Sequence, residues 1–191
     1  MKNATIKLPV LYEEILTESR KINFPMLSDL YTGSFLRTLV SSKPTGRFLE
    51  LGTGTGLSLA WIVEGMTNRS SIVSIDNDQY CQSVARHMFG SDPRVSLICT
   101  DGNEWIMENI EERFDFIFAD AWPGKYSLLD ETLSMLNPGG FYLIDDMLPQ
   151  PNWPDGHQEI VDNLISELQK YSNLQITVIN WSTGLILVSK I

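Results

Sequence analysis

Cysteine, histidine and basic residues are scarce in this chain. The two cysteines, Cys81 and Cys99, have no partners at zinc-binding spacing, which excludes a disulfide framework and a structural zinc site. Both fall in segments that pattern as buried elements, and such usage fits a reduced compartment. Lys and Arg number 14 against 24 acids, for a net charge of −10. That balance supplies no cationic face for broad binding to nucleic acid or anionic membranes. Long apolar runs are also missing: none approaches the ~20 residues that cross a bilayer. Lys7, Pro9, Glu13 and Glu14 break any apolar core at the N-terminus, so no secretory signal is expected. There is no internal repeat, low-complexity tract or linker. These absences point to a soluble cytoplasmic protein and say little about a small substrate.

What is present is an ordinary globular mixture. The 191 residues are 43% hydrophobic, enough to fill a sizeable core. One domain over 1–191 is expected, with a helical segment at 1–45 and an α/β core over 46–191.

Leu11, Tyr12, Ile15 and Leu16 recur at helical spacing, as do Phe35, Leu36, Leu39 and Val40. Beyond Pro44 and Gly46, apolar runs alternate with helical patterns. Strands are predicted at 47–51, 71–76, 95–100, 114–119 and 140–145, with helices at 57–67, 78–89, 103–111 and 125–136. Runs apolar on both faces suit parallel strands covered on two sides, and the alternation predicts a doubly wound sheet. Asp155 and Gln158 form a candidate capping box for a helix carrying Ile160, Val161, Leu164, Ile165 and Leu168. Leu174–Ile179 and Leu185–Ser189 are too close for a crossover helix, so they should close the sheet as an antiparallel hairpin. The expected architecture is a seven-stranded, mostly parallel Rossmann-like sheet with helices on both faces.

The chemistry centres on Phe48–Gly56, F-L-E-L-G-T-G-T-G: a buried strand with an acid inside it, then glycine at every second position, then a helix start. Glycines let backbone approach a ligand closely, and free N–H groups at a helix start favour an anion. A nicotinamide dinucleotide is one candidate, and Asp76 at the end of the second strand would suit its ribose. The dinucleotide fingerprint is G-x-G-x-x-G, whereas the spacing here is G-x-G-x-G after Glu50. S-adenosylmethionine is the other candidate: acids suit its sulfonium and ammonium, and helix N–H groups suit its carboxylate.

The ordered set E-L-G-T-G-T-G (50–56), Asp76, Asp101-Gly102, F-D-F-I-F-A-D (114–120) and N-P-G-G (137–140) resembles the class I S-adenosylmethionine-dependent methyltransferases. Tyr31–Leu36, A-D-A-W-P-G-K-Y (119–126) and I-D-D (144–146) are similar to the small O-methyltransferases related to catechol and caffeoyl-CoA O-methyltransferases. The resemblance implies methyl transfer to a small-molecule hydroxyl. It places Gly52, Thr53, Gly54 and Gly56 around the methionine part and Ser58 near its carboxylate, unless Ser58 is a plain helix cap. It places Asp76 and Asn77 at the ribose and Asp101, Gly102 and Asn103 by the adenine. Glu50 either faces the cofactor's cationic end or holds the glycine loop. Asp120 ends the fourth strand beside cofactor and acceptor. Trp122 packs on adenine or acceptor, or else fills the loop core. Trp61 and Trp105 read as core, and His87 as solvated or structural.

The resemblance further implies a divalent ion such as Mg²⁺ on Asp120, Asp145 and Asp146. Two departures leave that open: Asp146 stands where relatives carry Asn, and Pro123-Gly124 stand where they carry a lysine base, with Lys125 further on. Candidates for handling the acceptor's proton are Asp120, Lys125 and His157. His157 follows the stiff loop P-Q-P-N-W-P-D-G (149–156), and Trp153 could wall the pocket. The acceptor pocket is expected from the N-terminal helices and the loops 121–126 and 147–157, with no C-terminal lid. Dimers are usual among such relatives, so a homodimer is the implied assembly. A nicotinamide oxidoreductase, or a cofactor-binding module without transferase activity, are the competing readings.

Overall fold

The computed structural model describes residues 6–150 and 153–191. Pro151 and Asn152, within the proline-rich loop named above, lie outside the described residues. Two helices, α1 (Tyr12–Lys21) and α2 (Leu30–Ser41), precede an alternation: β1 (Arg47–Leu51), α3 (Leu57–Gly65), β2 (Ser71–Asp76), α4 (Gln79–Phe89), β3 (Val95–Cys99), α5 (Gly102–Glu108), β4 (Phe114–Ala119), α6 (Leu129–Ser134), β5 (Leu136–Ile144) and α7 (His157–Leu168). The closing strands are β6 (Leu174–Ile179) and β7 (Leu185–Lys190).

The seven strands lie in the order β3-β2-β1-β4-β5-β7-β6. The first five are parallel, and β7 runs antiparallel between β5 and β6. The order reverses between β1 and β4, the switch point where open α/β sheets leave a crevice at their carboxyl edge.

Period-two alternation sends successive strand residues to two separate cores. Leu49 and Leu51 of β1 face α5, α6 and α7, in the cluster with Trp105, Leu133 and Val161. Phe48 faces the other side, where α1 to α4 supply Ile15, Leu36, Trp61 and Phe89. The N-terminal helices therefore complete one face of the sheet. Tyr12 meets the Trp61 ring edge-on at 5.9 Å. Trp61 and Trp105 are buried core residues, as expected.

Three differences from the sequence reading have local causes. The helix expected at 125–136 shrinks to α6, because Gly124 (φ 80) and Leu128 (φ 54) adopt left-handed backbone and keep 121–128 as a loop. The Asp155–Gln158 capping box does not form: Gly156 (φ 84) is the N-cap of α7, with no side-chain cap, and Gln158 Nε2 turns to Asp162. Cys99 is exposed rather than buried, because β3 is an edge strand and Cys99 is its last residue.

Candidate functional site

A cavity of about 830 Å³ opens at the carboxyl edge of the sheet, within the range of small-molecule sites. Every parallel strand delivers a residue to it: Gly52 after β1, Asp76 ending β2, Asp101 after β3, Asp120 after β4, and Asp145 and Asp146 after β5.

The glycine loop is positioned by its own backbone and by two side chains. Gly52 and Thr53 donate their N–H groups to the Ile75 carbonyl at 2.9 and 3.1 Å. Asp76 Oδ2 accepts the Gly54 N–H at 2.6 Å, and its Oδ1 accepts the Asp78 N–H at 2.8 Å. Gly52 has φ +104, and a β-carbon there would lie 2.8 Å from the Asp120 carbonyl oxygen. Only glycine fits where the β1 and β4 ends approach so closely.

Glu50 lies beneath this loop, fully buried and absent from the cavity wall. Its Oε1 accepts from Ser58 at 2.7 Å and its Oε2 from Ser74 at 2.5 Å. Ser74 lies 2.6 Å from Thr53 Oγ1, which Gln82 approaches at 3.3 Å. Of the two readings left open for Glu50, the geometry matches the one in which it holds the loop. Burial first pushes its carboxyl up to about 7, against the opposing hydrogen bonds of Ser58 and Ser74. Ser58 lines the cavity while its hydroxyl is engaged with Glu50.

Asp101 caps α5 by accepting the N–H groups of Asn103 and Glu104. Gly102 packs where a β-carbon would meet Pro123 at 2.8 Å, and Asn103 Oδ1 accepts from Ser127 at 2.6 Å. Asn77, Asp101, Gly102, Asn103, Asp120 and Trp122 all line the cavity with the glycine loop. Gly56 does not; its φ of 92 starts α3, close against Ala85.

The wall of the cavity differs from the one expected from sequence. The N-terminal part of the wall is the connection 24–28 between α1 and α2, not the helices themselves. Thr183, from the β6–β7 turn, completes it, with Gln150. Nothing local to Thr183 announced that role: a residue in a hairpin turn reaches this edge only because β7 inserts beside β5.

His157 and Lys125 are not brought to the cavity. His157 is buried among Trp153 (4.4 Å between ring centroids), Tyr126 (5.2 Å) and Trp122 (5.8 Å). Its Nε2 lies 3.2 Å from the Tyr126 hydroxyl, and its Nδ1 has no partner among the described residues. Burial and then the Lys125 charge push its pKa down. Trp153 packs on His157 and does not wall the cavity. Trp122 lines the cavity and leaves more than half its surface open. Lys125 is buried, and its Nζ donates to the Asp145 carbonyl oxygen at 2.5 Å. Of the three candidates for proton handling, Asp120 alone reaches the cavity.

Asp120, Asp145 and Asp146 supply the hard oxygen donors that a divalent ion takes. Their arrangement does not fit one. Among the described residues, no three acidic, histidine or cysteine groups are placed to hold a metal ion. Asp145 Oδ1 already accepts the Thr183 hydroxyl and the Asp146 N–H, the latter at 2.7 Å. Burial, then mutual repulsion with Asp145 and Asp146, pushes the Asp120 carboxyl well above its ordinary range. Asp145 rises to about 6 for the first of these reasons.

A family model described as O-methyltransferase matches residues 5–191. The chain belongs to that family. A protein assigned as an O-methyltransferase in Mycolicibacterium vanbaalenii is 29% identical over 117 residues, which cover 59% of this chain and 52% of that one. The chain thus spans about half the length of that relative. A protein assigned as a caffeoyl-CoA O-methyltransferase in Arabidopsis thaliana is 28% identical over 148 residues, covering 71% of this chain and 64% of its own. The crystal structure of an O-methyltransferase from Bacillus cereus, in complex with SAH, superposes with a TM-score of 0.85 at 20% identity, covering 98% of this chain and 93% of that one. The family fold is thus present from the N-terminal helices to the terminal hairpin. No helix among the described residues is long and apolar enough to cross a membrane.

Proposed function

We propose that this protein transfers a methyl group from S-adenosylmethionine to a hydroxyl of a small acceptor. The observation that carries the reading is the single cavity onto which the glycine loop, Asp76, Asp101–Asn103 and Asp120 all open. The cavity suits the cofactor: a glycine-rich loop whose backbone can approach a ligand closely, an aspartate at the ribose position and a helix start beside them. When bound, S-adenosylmethionine supplies the electrophilic methyl group. Gly52–Gly54 and Ser58 bind its methionine end, Asp76 and Asn77 its ribose, and Asp101, Gly102, Asn103 and Trp122 its adenine. Glu50 fixes the loop from below.

The chain's contribution to rate is mainly alignment of two reactants. Asp120 faces the acceptor and takes the hydroxyl proton, since a carboxylate held above its usual range is a better general base near neutral pH. Six aspartates line the cavity, Asp76, Asp78, Asp101, Asp120, Asp145 and Asp146, and among the described residues no Lys, Arg or His does. That supports an uncharged or cationic acceptor over an anionic one such as a coenzyme A thioester. The rest of the reading is one domain over 1–191, a cytoplasmic location, no nucleic-acid or membrane partner, and a homodimer.

Calorimetric titration tests the cofactor: S-adenosylhomocysteine should bind and NAD should not. Asp76→Ala should weaken binding about tenfold to a hundredfold, the loss of a charged hydrogen bond. A panel of hydroxylated aromatics, with and without a carboxylate or phosphate, tests the acceptor. Tight NAD binding would favour an oxidoreductase. Cofactor binding with no methyl transfer across the panel would favour a binding module.

A further inference from the structure

One cation is built into the interior behind the acidic end of the cavity. Gly124 turns the chain in left-handed backbone, donates its N–H to Ser127 at 2.8 Å and has its carbonyl held by the Tyr142 hydroxyl at 2.6 Å. That turn sends Lys125 inward. Its side chain is 5% exposed, its Nζ bonds the Asp145 carbonyl oxygen, and the ammonium lies 5.0 Å from the centre of the Tyr126 ring. Among the described residues it makes no ion pair within 4.0 Å. The charges that act on it are those of Asp120, Asp146 and Asp145, and its own charge reaches His157.

A buried ammonium is costly unless opposite charge lies near. Three buried or half-buried carboxylates at one sheet edge have the same need with the opposite sign. Each group lies in the other's field, which offsets part of the burial cost of both. A dication, by contrast, finds no three-ligand seat there, and Asp145 Oδ1 is already taken by Thr183 and the Asp146 N–H.

We infer that the Lys125 ammonium is the fixed counter-ion of Asp120, Asp145 and Asp146, doing electrostatically what a divalent ion would do, so that the protein works without a bound metal. The clause about working rests on the methyl-transfer reading; the counter-ion itself does not. Lys125 acts through the aspartates and is a positioning residue. By holding the Asp145 carbonyl it also ties the loop at 121–128 to the end of β5.

The test is Mn²⁺ titration of the full chain, saturated with S-adenosylhomocysteine, followed by electron paramagnetic resonance. The signal of free Mn²⁺ should stay undiminished, and the thermal midpoint should be the same in Mg²⁺ and in chelator. Lys125→Gln removes the internal charge and should bind Mn²⁺ at least about tenfold tighter than the wild type. Saturable binding of one Mn²⁺ by the wild type, abolished by Asp120→Asn, would overturn the inference. So would a folded Lys125→Gln protein with no gain in Mn²⁺ affinity. If Lys125→Gln does not fold, the wild-type titration decides alone. Chelator-insensitive turnover supports the metal-free clause. Failure to bind S-adenosylhomocysteine would sink the methyl-transfer reading and leave the Mn²⁺ result standing.

Discussion

Glu50 sits near the end of β1 with a serine hydroxyl on each carboxylate oxygen and no solvent. Its pKa of about 7 exceeds the ordinary 4.5 because burial outweighs both hydrogen bonds. A raised carboxyl favours the folded state fully below about pH 4.5, and the benefit is lost as pH rises through about 7. The shift corresponds to roughly 3 kcal/mol, as an order of magnitude. Glu50→Gln should therefore flatten the stability-against-pH curve over that window by about 2–3 kcal/mol relative to the wild type, measured as denaturant midpoints at pH 5 and pH 8. An unchanged slope would mean that Glu50 titrates as if exposed. At this scale the sequence was informative about strand-end residues and silent about inward ones. Asp76 and Asp120 follow from their positions at strand ends. Gln82, buried on α4 and bonded to Thr53 and to the Ile98 carbonyl, is indistinguishable in sequence from a surface residue of the same helix.

At the scale of elements, the decisive piece is the turn from β1 into α3. Gly52, Gly54 and Gly56 all have positive φ, so the alternation of glycine is a backbone requirement. Gly52→Ala adds a strained conformation and a clash with the Asp120 carbonyl, at a combined cost of at least about 2 kcal/mol. It should also eliminate measurable S-adenosylhomocysteine binding in calorimetry, because the loop must move away from β4. Retention of wild-type affinity would show that the loop tolerates a different path. Helix starts were less legible. A capping box at Asp155 is a local pattern, and it lost to Gly156, whose left-handed conformation sets the entry to α7. Residues 125–128 were likewise read as helix, because Tyr126 and Leu128 pack on the core without being helical.

The whole molecule is a sheet with two cores, and the terminal hairpin belongs to both. Leu185 enters the core of α1 to α4 and Ile186 the core of α5 to α7. β7 carries Thr183 at its leading turn into contact with Asp145. Ile186→Ala should cost about 2–5 kcal/mol, lowering the global denaturant midpoint without a separate transition for the hairpin. An early independent transition would mean that the hairpin is a detachable unit.

The sequence by itself determined the strand–helix order, the glycine turn, the acids at the strand ends and the family to which the chain belongs. These follow from local periodicity and from residue types that a turn or a strand end requires. Only the tertiary structure decided which side chains share the cavity. It drew Lys125 and His157 inside, left Trp122 at the wall and brought 24–28 and Thr183 to the same cavity. Those outcomes depend on the direction of a side chain and on contacts between distant segments, neither of which is encoded in spacing along the chain.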